Sequence, residues 1–482
     1  MAHNTNVTDV APPYGGFPKF VEQGFNDNYL PVWLQNAGYD TYYTGKLFNA
    51  HTIQNWNKPT PAGWNQTGFL VDPGTYAYYN ACFQFNDRPP VYRAGEYSTD
   101  IISNLSLSWL DMASKSDRPF FMGIAPTAPH TETVIGPDSL WFDAPKPAKR
   151  HEALFLDAKI PRGPSFNPEE PQGVSWVREL PRADRTVLDY NDAFYVKRLQ
   201  TLQSVDELVG AIFDKLKILG MDKNTYVIYT SDNGFHIGQH RLKPGKQCAF
   251  EEDVNVPFLI SGPNVPKNHT VDFTTSHTDF AATILDLAQV PLREDFDGTP
   301  MPLTLPAMNK AACSTMHDHV SIEYWGIAGE EGALYRGGVN GSFTSHGNNT
   351  YKGMRVVSPQ YDLLYTVWCS HEHELYDMKT DPYQTDNLYG SSVKINGQAI
   401  DKVVERLDAL LMVMKSCKGK QCTQPWLTLH PSGKVNNLAE ALHPRLDSFY
   451  AEQPKVAFDE CQLGYIIEAE GAMNVVPFYV PD

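Results

Sequence analysis

Apolar positions along this chain follow two periods, and the switch between them sets out the fold. Ile102, Leu105, Trp109 and Met112 recur at helical spacing behind the capping residues Ser98 and Thr99, which predicts an amphipathic helix. A longer helix is predicted from Asp189 to Leu219, with Leu199, Leu202, Val205, Leu208, Ile212 and Leu216 facing inward and Gly220 ending it. Shorter helices are predicted over Tyr29–Ala37, stopped by Gly38, and over His277–Ala288. Between them lie apolar runs too short for helices: Thr41–Thr44, Pro119–Ala125, Tyr226–Thr230, Val256–Ile260 and Val320–Tyr324. Strand and helix alternate, and the strands lack a polar face. That predicts an α/β fold with a large, mostly parallel sheet covered by helices on both faces.

The pattern changes after about residue 330. Tyr351–Val357 and Tyr361–Cys369 read as adjacent strands joined at Ser358-Pro359-Gln360, with Glu374–Asp377 as a third. Lys402–Lys415 reads as an amphipathic helix. The expected organisation is a catalytic domain over 1–330 and a smaller antiparallel α+β domain over 331–482. Residues 1–28, the Pro- and Gly-rich stretch 49–97 and the Pro-rich excursion 135–183 read as irregular segments, and the tail after Thr423 carries no clear period.

A length of 482 residues makes two domains the natural expectation. The net charge of −17 repels nucleic acid and long polyanions. No run approaches the roughly 20 apolar residues of a membrane span. No signal-peptide pattern follows Met1, yet six N-x-S/T sequons stand at Asn6, Asn65, Asn104, Asn268, Asn340 and Asn348. Among seven cysteines, Cys417, Cys422 and Cys461 favour one or two C-terminal disulfides in a secreted protein, with at least one free thiol. A zinc site is the weaker reading, since no second Cys pair or ordered His pair accompanies them.

The chemistry concentrates where strands end. Tyr226–Thr230 runs into Ser231-Asp232-Asn233-Gly234 and then a loop carrying His236, His240 and Lys246. An Asp-Asn-Gly is by itself an ordinary Asx turn. A carboxylate beside an amide carbonyl also offers two hard oxygen donors for Ca²⁺ or Mg²⁺, and strand carboxyl ends are where α/β sheets bind ligands. Lys46 ends another predicted strand, and His130 follows a third. Each alone reads as structural. Three cationic candidates beside a hard-cation pair suggest chemistry on a phosphate or sulfate ester. His51, His236 and His240 are equally consistent with loop histidines, and His371 and His373 read as structural.

In this order the residues resemble a known family. The segments are Gly38-Tyr-Asp-Thr-Tyr-Tyr-Thr-Gly-Lys46, Ala125-Pro-Thr-Ala-Pro-His130, Thr230-Ser-Asp-Asn-Gly-Phe-His-Ile-Gly238 and Gly245-Lys246 followed by Glu251-Glu-Asp-Val-Asn-Val-Pro-Phe258. Together with His373-Glu-Leu-Tyr-Asp377 and Asp381-Pro-Tyr-Gln-Thr-Asp-Asn-Leu388 they resemble the sulfatase family of the alkaline phosphatase superfamily, most closely fungal arylsulfatases and glucosamine sulfatases. The resemblance implies hydrolysis of small sulfate monoesters in a secreted, vacuolar or lysosomal setting. It implies Ca²⁺ on Asp232 and Asn233, and sulfate contacts from Lys46, His130 and Lys246, with His130 and Lys246 assisting departure of the alcohol. Many sulfatases carry a further His two residues after the first lysine; here that place holds Phe48, and His51 is the alternative.

One feature of the family is absent. Its nucleophile is a formylglycine made from the Cys or Ser of a Cys/Ser-x-Pro/Ala-x-Arg motif, and no Cys or Ser of this sequence stands in one. The usual Asp-Asp metal ligands are missing too. In the family both precede the segment that Met1–Tyr14 resembles, so the chain is expected to be truncated before its nucleophile. Such a chain would also lack a central strand, and the unpaired backbone groups left behind would make it unstable or inactive alone. The alternatives are a phosphodiesterase or phosphonate hydrolase of the same superfamily, and a non-catalytic anion-binding remnant.

Overall fold

The computed structural model describes residues 1–312 and 318–479. Cys313 lies outside them. Helix α1 (Leu30–Asn36) starts with Pro31 in its first turn, where a missing N–H costs nothing, and leads into strand β1 (Asp40–Lys46). Strands β2 (Gln66–Leu70), β3 (Cys82–Phe85) and β4 (Val91–Tyr92) lie within the stretch read as irregular. Each holds only two to five residues among Pro, Gly and Asn, too few for a period to show. Helix α2 (Ser98–Ala113) returns the chain to β5 (Phe120–Ala125).

These strands form one five-stranded sheet in the order β4-β3-β2-β1-β5. β1 is parallel to β2 and to β5, whereas β2–β3 and β3–β4 are antiparallel, so the sheet is mixed rather than mostly parallel. Beyond a short hairpin of Glu132–Ile135 with Leu140–Asp143, strands β6 (Val227–Thr230) and β7 (Phe258–Ser261) pair antiparallel with each other as a separate ribbon. Apolar content alone carried the parallel expectation, and it does not encode strand direction. The chain returns from β6 through 231–257 to β7 without a covering helix of the length a parallel crossover needs.

Helices cover both faces of the five-stranded sheet, and the alternation along β1 shows why. Tyr42 points to the side where Trp109 and Ala113 of α2 pack, while Tyr43 points to the other, against Trp64 and Phe69. The main core joins Leu70 and Phe83 of the sheet, Ile102 and Leu110 of α2, and Leu208, Ile212 and Leu216 of α3 (Arg185–Ile218). α3 is capped by Asp184, whose carboxylate accepts from the Val187 N–H at 2.9 Å. On the opposite side Leu34 of α1 meets Ile284 and Leu285 of α4 (Phe280–Leu287). β5 stands at the sheet edge with all six residues only half-buried.

A second sheet is antiparallel throughout: β8 (His319–Tyr324), β9 (Tyr351–Val357), β10 (Asp362–Trp368) and β11 (His373–Asp377), in that order. β8 therefore belongs here rather than to the larger sheet. Helix α5 (Ile400–Met414) buries Val403, Leu407, Leu410 and Leu411 against it. The tail completes that core through Trp426, Leu429, Leu438 and Tyr450, carried on helices of four or five residues that leave no period to read. Disulfides Cys369–Cys461 and Cys417–Cys422 tie it down, as the C-terminal cysteines suggested, and Cys82 and Cys248 are free and buried. The first residues are not irregular: Ala2–Thr5 is helical, and His3 is buried with its Nδ1 2.8 Å from Glu323 Oε2 on β8.

Candidate active site

β1 and β5 run parallel with Gly45 opposite Ala125, so Lys46 and the Pro126–His130 turn emerge at the same edge. Gly45 is required there: its φ is +108°, and a Cβ would lie 2.0 Å from the Ala125 carbonyl oxygen. Lys46 Nζ sits 3.8 Å from Asp232 Oδ2 and 5.3 Å from the Tyr76 ring centroid. His130 stacks on the same ring, with centroids 4.2 Å apart. Tyr76 thus contacts both the lysine and the histidine. Its hydroxyl is held by Asn49 Nδ2 at 2.8 Å.

His130 Nδ1–H donates to the Thr131 carbonyl at 2.8 Å, which leaves Nε2 as the acceptor nitrogen. Burial holds the imidazole well below its usual range, with Lys246 adding to the effect and Lys46 and Arg198 contributing further. The ring is therefore neutral near pH 7 in the ligand-free protein. Lys246 Nζ lies 4.0 Å from Glu331 Oε1, and Thr131 Oγ1 donates to Glu331 Oε2 at 2.7 Å. Arg198 of α3 donates to the Pro129 carbonyl at 3.0 Å and lies over the Phe235 ring at 3.9 Å. Burial pushes its guanidinium down to about 10.

Asp232 and Asn233 follow β6 directly. The Asp232 side chain is 71% exposed, so its carboxylate is open to a ligand. Its Oδ1 accepts from the Asn233 N–H at 3.0 Å, and Asn233 Nδ2 donates to the Gly234 carbonyl at 2.6 Å. The Asn233 Oδ1 and the Asp232 carboxylate thus remain as hard oxygen donors that fit a divalent cation, though two residues supply only part of the six to eight oxygens Ca²⁺ takes. His277 stands beside them, its Nε2 3.3 Å from Thr230 Oγ1, and burial lowers its imidazole against the opposing field of Asp232.

All five residues singled out in the sequence, Lys46, His130, Lys246, Asp232 and Asn233, lie in this network. The other loop histidines do not. His51 is fully buried, lies tilted against Phe17 with ring centroids 4.7 Å apart and is pushed down to about 4 by burial. His240 stacks on Phe250 at 3.8 Å and is pushed down to about 3 by the same cause. His236 Nδ1 donates to Asp253 Oδ1 at 2.8 Å, and Asp253 Oδ2 accepts from the Cys248 N–H at 2.8 Å. His236, Cys248 and Asp253 also bring potential metal-ligating atoms within 4.8 Å of one another. Their hydrogen bonds give them a simpler role, pinning the loop that carries Lys246. Tyr76, Glu331 and His277 join the site without any signal in the sequence, since each arrives from a distant segment.

Comparison with known proteins defines the class. The sulfatase family profile matches residues 1–290, and the profile described as N-sulphoglucosamine sulphohydrolase, C-terminal, matches 238–412. The chain belongs to the sulfatase family and is by that membership a sulfuric ester hydrolase. It is 45% identical over 418 residues to "Sulfatase ppz1" of Metarhizium majus (strain ARSEF 297), spanning 86% of this chain and 88% of that protein. It is 37% identical over 485 residues to an arylsulfatase of Volvox carteri, spanning 96% of this chain and 72% of the relative. N-acetylglucosamine-6-sulfatase of Homo sapiens is 30% identical over 419 residues, 83% of this chain and 71% of that protein. The fold is shared with BT4656, solved in complex with its substrate D-glucosamine-2-N,6-O-disulfate, at a TM-score of 0.60, 22% identity and 81% coverage of each chain.

Proposed function

We propose that the edge formed by Lys46, His130 and Lys246 binds the sulfate group of a small sulfate monoester, aryl or sugar. One observation carries this reading: Lys46 and His130 meet at the same tyrosine ring, with His130 under the field of Lys246 and Asp232 beside Lys46. The two lysines offset charge on the sulfate oxygens. Burial holds His130 low and the Lys246 and Lys46 charges add to it, so a bound anion that offsets those charges favours a proton at Nε2. That proton can pass to the departing alcohol.

Asp232 and Asn233 would hold Ca²⁺, which supplies Lewis-acid stabilisation of the sulfate oxygens when bound. None of these 482 residues offers the acceptor motif of the family's formylglycine. Cys82 and Cys248 are buried, and burial drives the Cys248 thiol far up, opposite to what a nucleophile needs. We therefore expect this polypeptide alone to bind sulfate esters without turning them over by the family route. The two disulfides, together with exposed sequons at Asn104, Asn268 and Asn340, support an oxidising, secretory location.

The test is calorimetric titration of 4-nitrophenyl sulfate in the presence of Ca²⁺. Binding that Lys46→Ala and Lys246→Ala each weaken at least tenfold supports the assignment. Binding indifferent to both substitutions refutes it.

A further inference from the structure

Glu331 is a buried carboxylate that the proposed chemistry does not use. Its side chain is 5% exposed, and such a charge persists only when compensated. The compensation comes from the anion site itself. Oε1 lies 4.0 Å from Lys246 Nζ, and Oε2 accepts from Thr131 Oγ1, whose oxygen is 3.3 Å from His130 Nδ1. Arg198 feels its field as well. The backbone binds Glu331 to the same loop: its N–H donates to the Pro244 carbonyl at 2.6 Å, two residues before Lys246. Gly329 N–H donates to Gln247 Oε1 at 3.2 Å on the other side of that lysine. Residues 329–331 thus clasp the Lys246 loop and place one negative charge beside Lys246, within the field felt by Arg198.

We propose that Glu331 is the resident counter-charge of the anion site, a positioning residue that holds Lys246 in place without substrate and sets how strongly the site attracts an anion. The inference rests on the sulfate-binding reading above. A carboxylate so placed opposes any anion arriving at Lys246. Removing its charge while keeping its hydrogen-bond acceptor should therefore tighten anion binding. A merely structural residue would do the reverse or nothing.

Calorimetry with inorganic sulfate at fixed ionic strength decides between these. Glu331→Gln keeps an oxygen for Thr131 and is expected to lower the sulfate Kd about tenfold, the scale of one nearby charge in a half-buried site. Thr131→Val, which leaves the charge in place, is expected not to tighten binding. A Kd in Glu331→Gln equal to or weaker than wild type, while Lys246→Ala still abolishes binding, overturns the counter-charge proposal alone. Sulfate binding that Lys246→Ala leaves untouched removes the site reading and this proposal with it. Should Glu331→Gln fail to fold, Glu331→Asp draws the charge back from Lys246 and is expected to tighten sulfate about threefold. An unchanged Kd there overturns the proposal equally.

Discussion

Asp253→Ala should both destabilise the protein and loosen its anion site. The carboxylate is 3% exposed and accepts from two buried donors, the His236 ring N–H at 2.8 Å and the Cys248 backbone N–H at 2.8 Å. Alanine leaves both without a partner, and each buried unpaired donor costs about 1–3 kcal/mol. The expected loss is about 4 kcal/mol, comparable to breaking a buried charge pair. Asp253→Asn keeps one acceptor oxygen, so about half that loss is expected. These bonds hold 245–250, so sulfate affinity should fall together with stability. The assay is urea denaturation followed by sulfate calorimetry on the same variants. A loss below about 1 kcal/mol would refute the energetic reasoning. A full loss with an unchanged sulfate Kd would refute the link to Lys246.

Other consequences can be checked separately. Gly45→Ala forces a Cβ to within 2.0 Å of the Ala125 carbonyl at φ +108°, and should cost about 3 kcal/mol or more in denaturant unfolding. Glu374 is buried between Trp368 and Tyr376, and burial pushes it up to about 7. A raised folded pKa means its stabilising contribution is full below the unfolded value near 4.5 and lost as pH rises through about 7. Glu374→Gln should therefore flatten the stability profile across that window, and an unchanged slope would contradict it. The Cys369–Cys461 bridge spans 92 residues and the Cys417–Cys422 bridge 5, so removing the first should cost about 4.6 kcal/mol and the second about 2 on the loop-entropy account. Equal losses from paired Cys→Ala variants would count against that ordering.

The part of the site legible in the sequence is the part written locally. Lys46, His130 and Asp232 each follow an apolar run broken by Gly, Pro or Asn, and that punctuation marks a strand end wherever the strand lies. Glu331 gives no such sign: it reaches Thr131 across 200 positions of chain, and its neighbour Glu330 looks the same in sequence. Tyr76 is one tyrosine among several in a segment without a period. The direction of β7 is not written in its sequence, because Phe258, Leu259 and Ile260 fit a parallel or an antiparallel neighbour equally well. The ordered C-terminal tail was illegible for a related reason, since helices of four or five residues make barely one turn. By contrast α3 and α5 were readable because several turns repeat the same inward face.

The most direct test of the whole account is one experiment with two readouts: 4-nitrophenyl sulfate titrated into the chain with Ca²⁺, following heat of binding and release of 4-nitrophenolate together. The account predicts saturable binding that is lost in Lys246→Ala, with no phenolate released. Steady phenolate release by this polypeptide, or binding that survives Lys246→Ala intact, would contradict it.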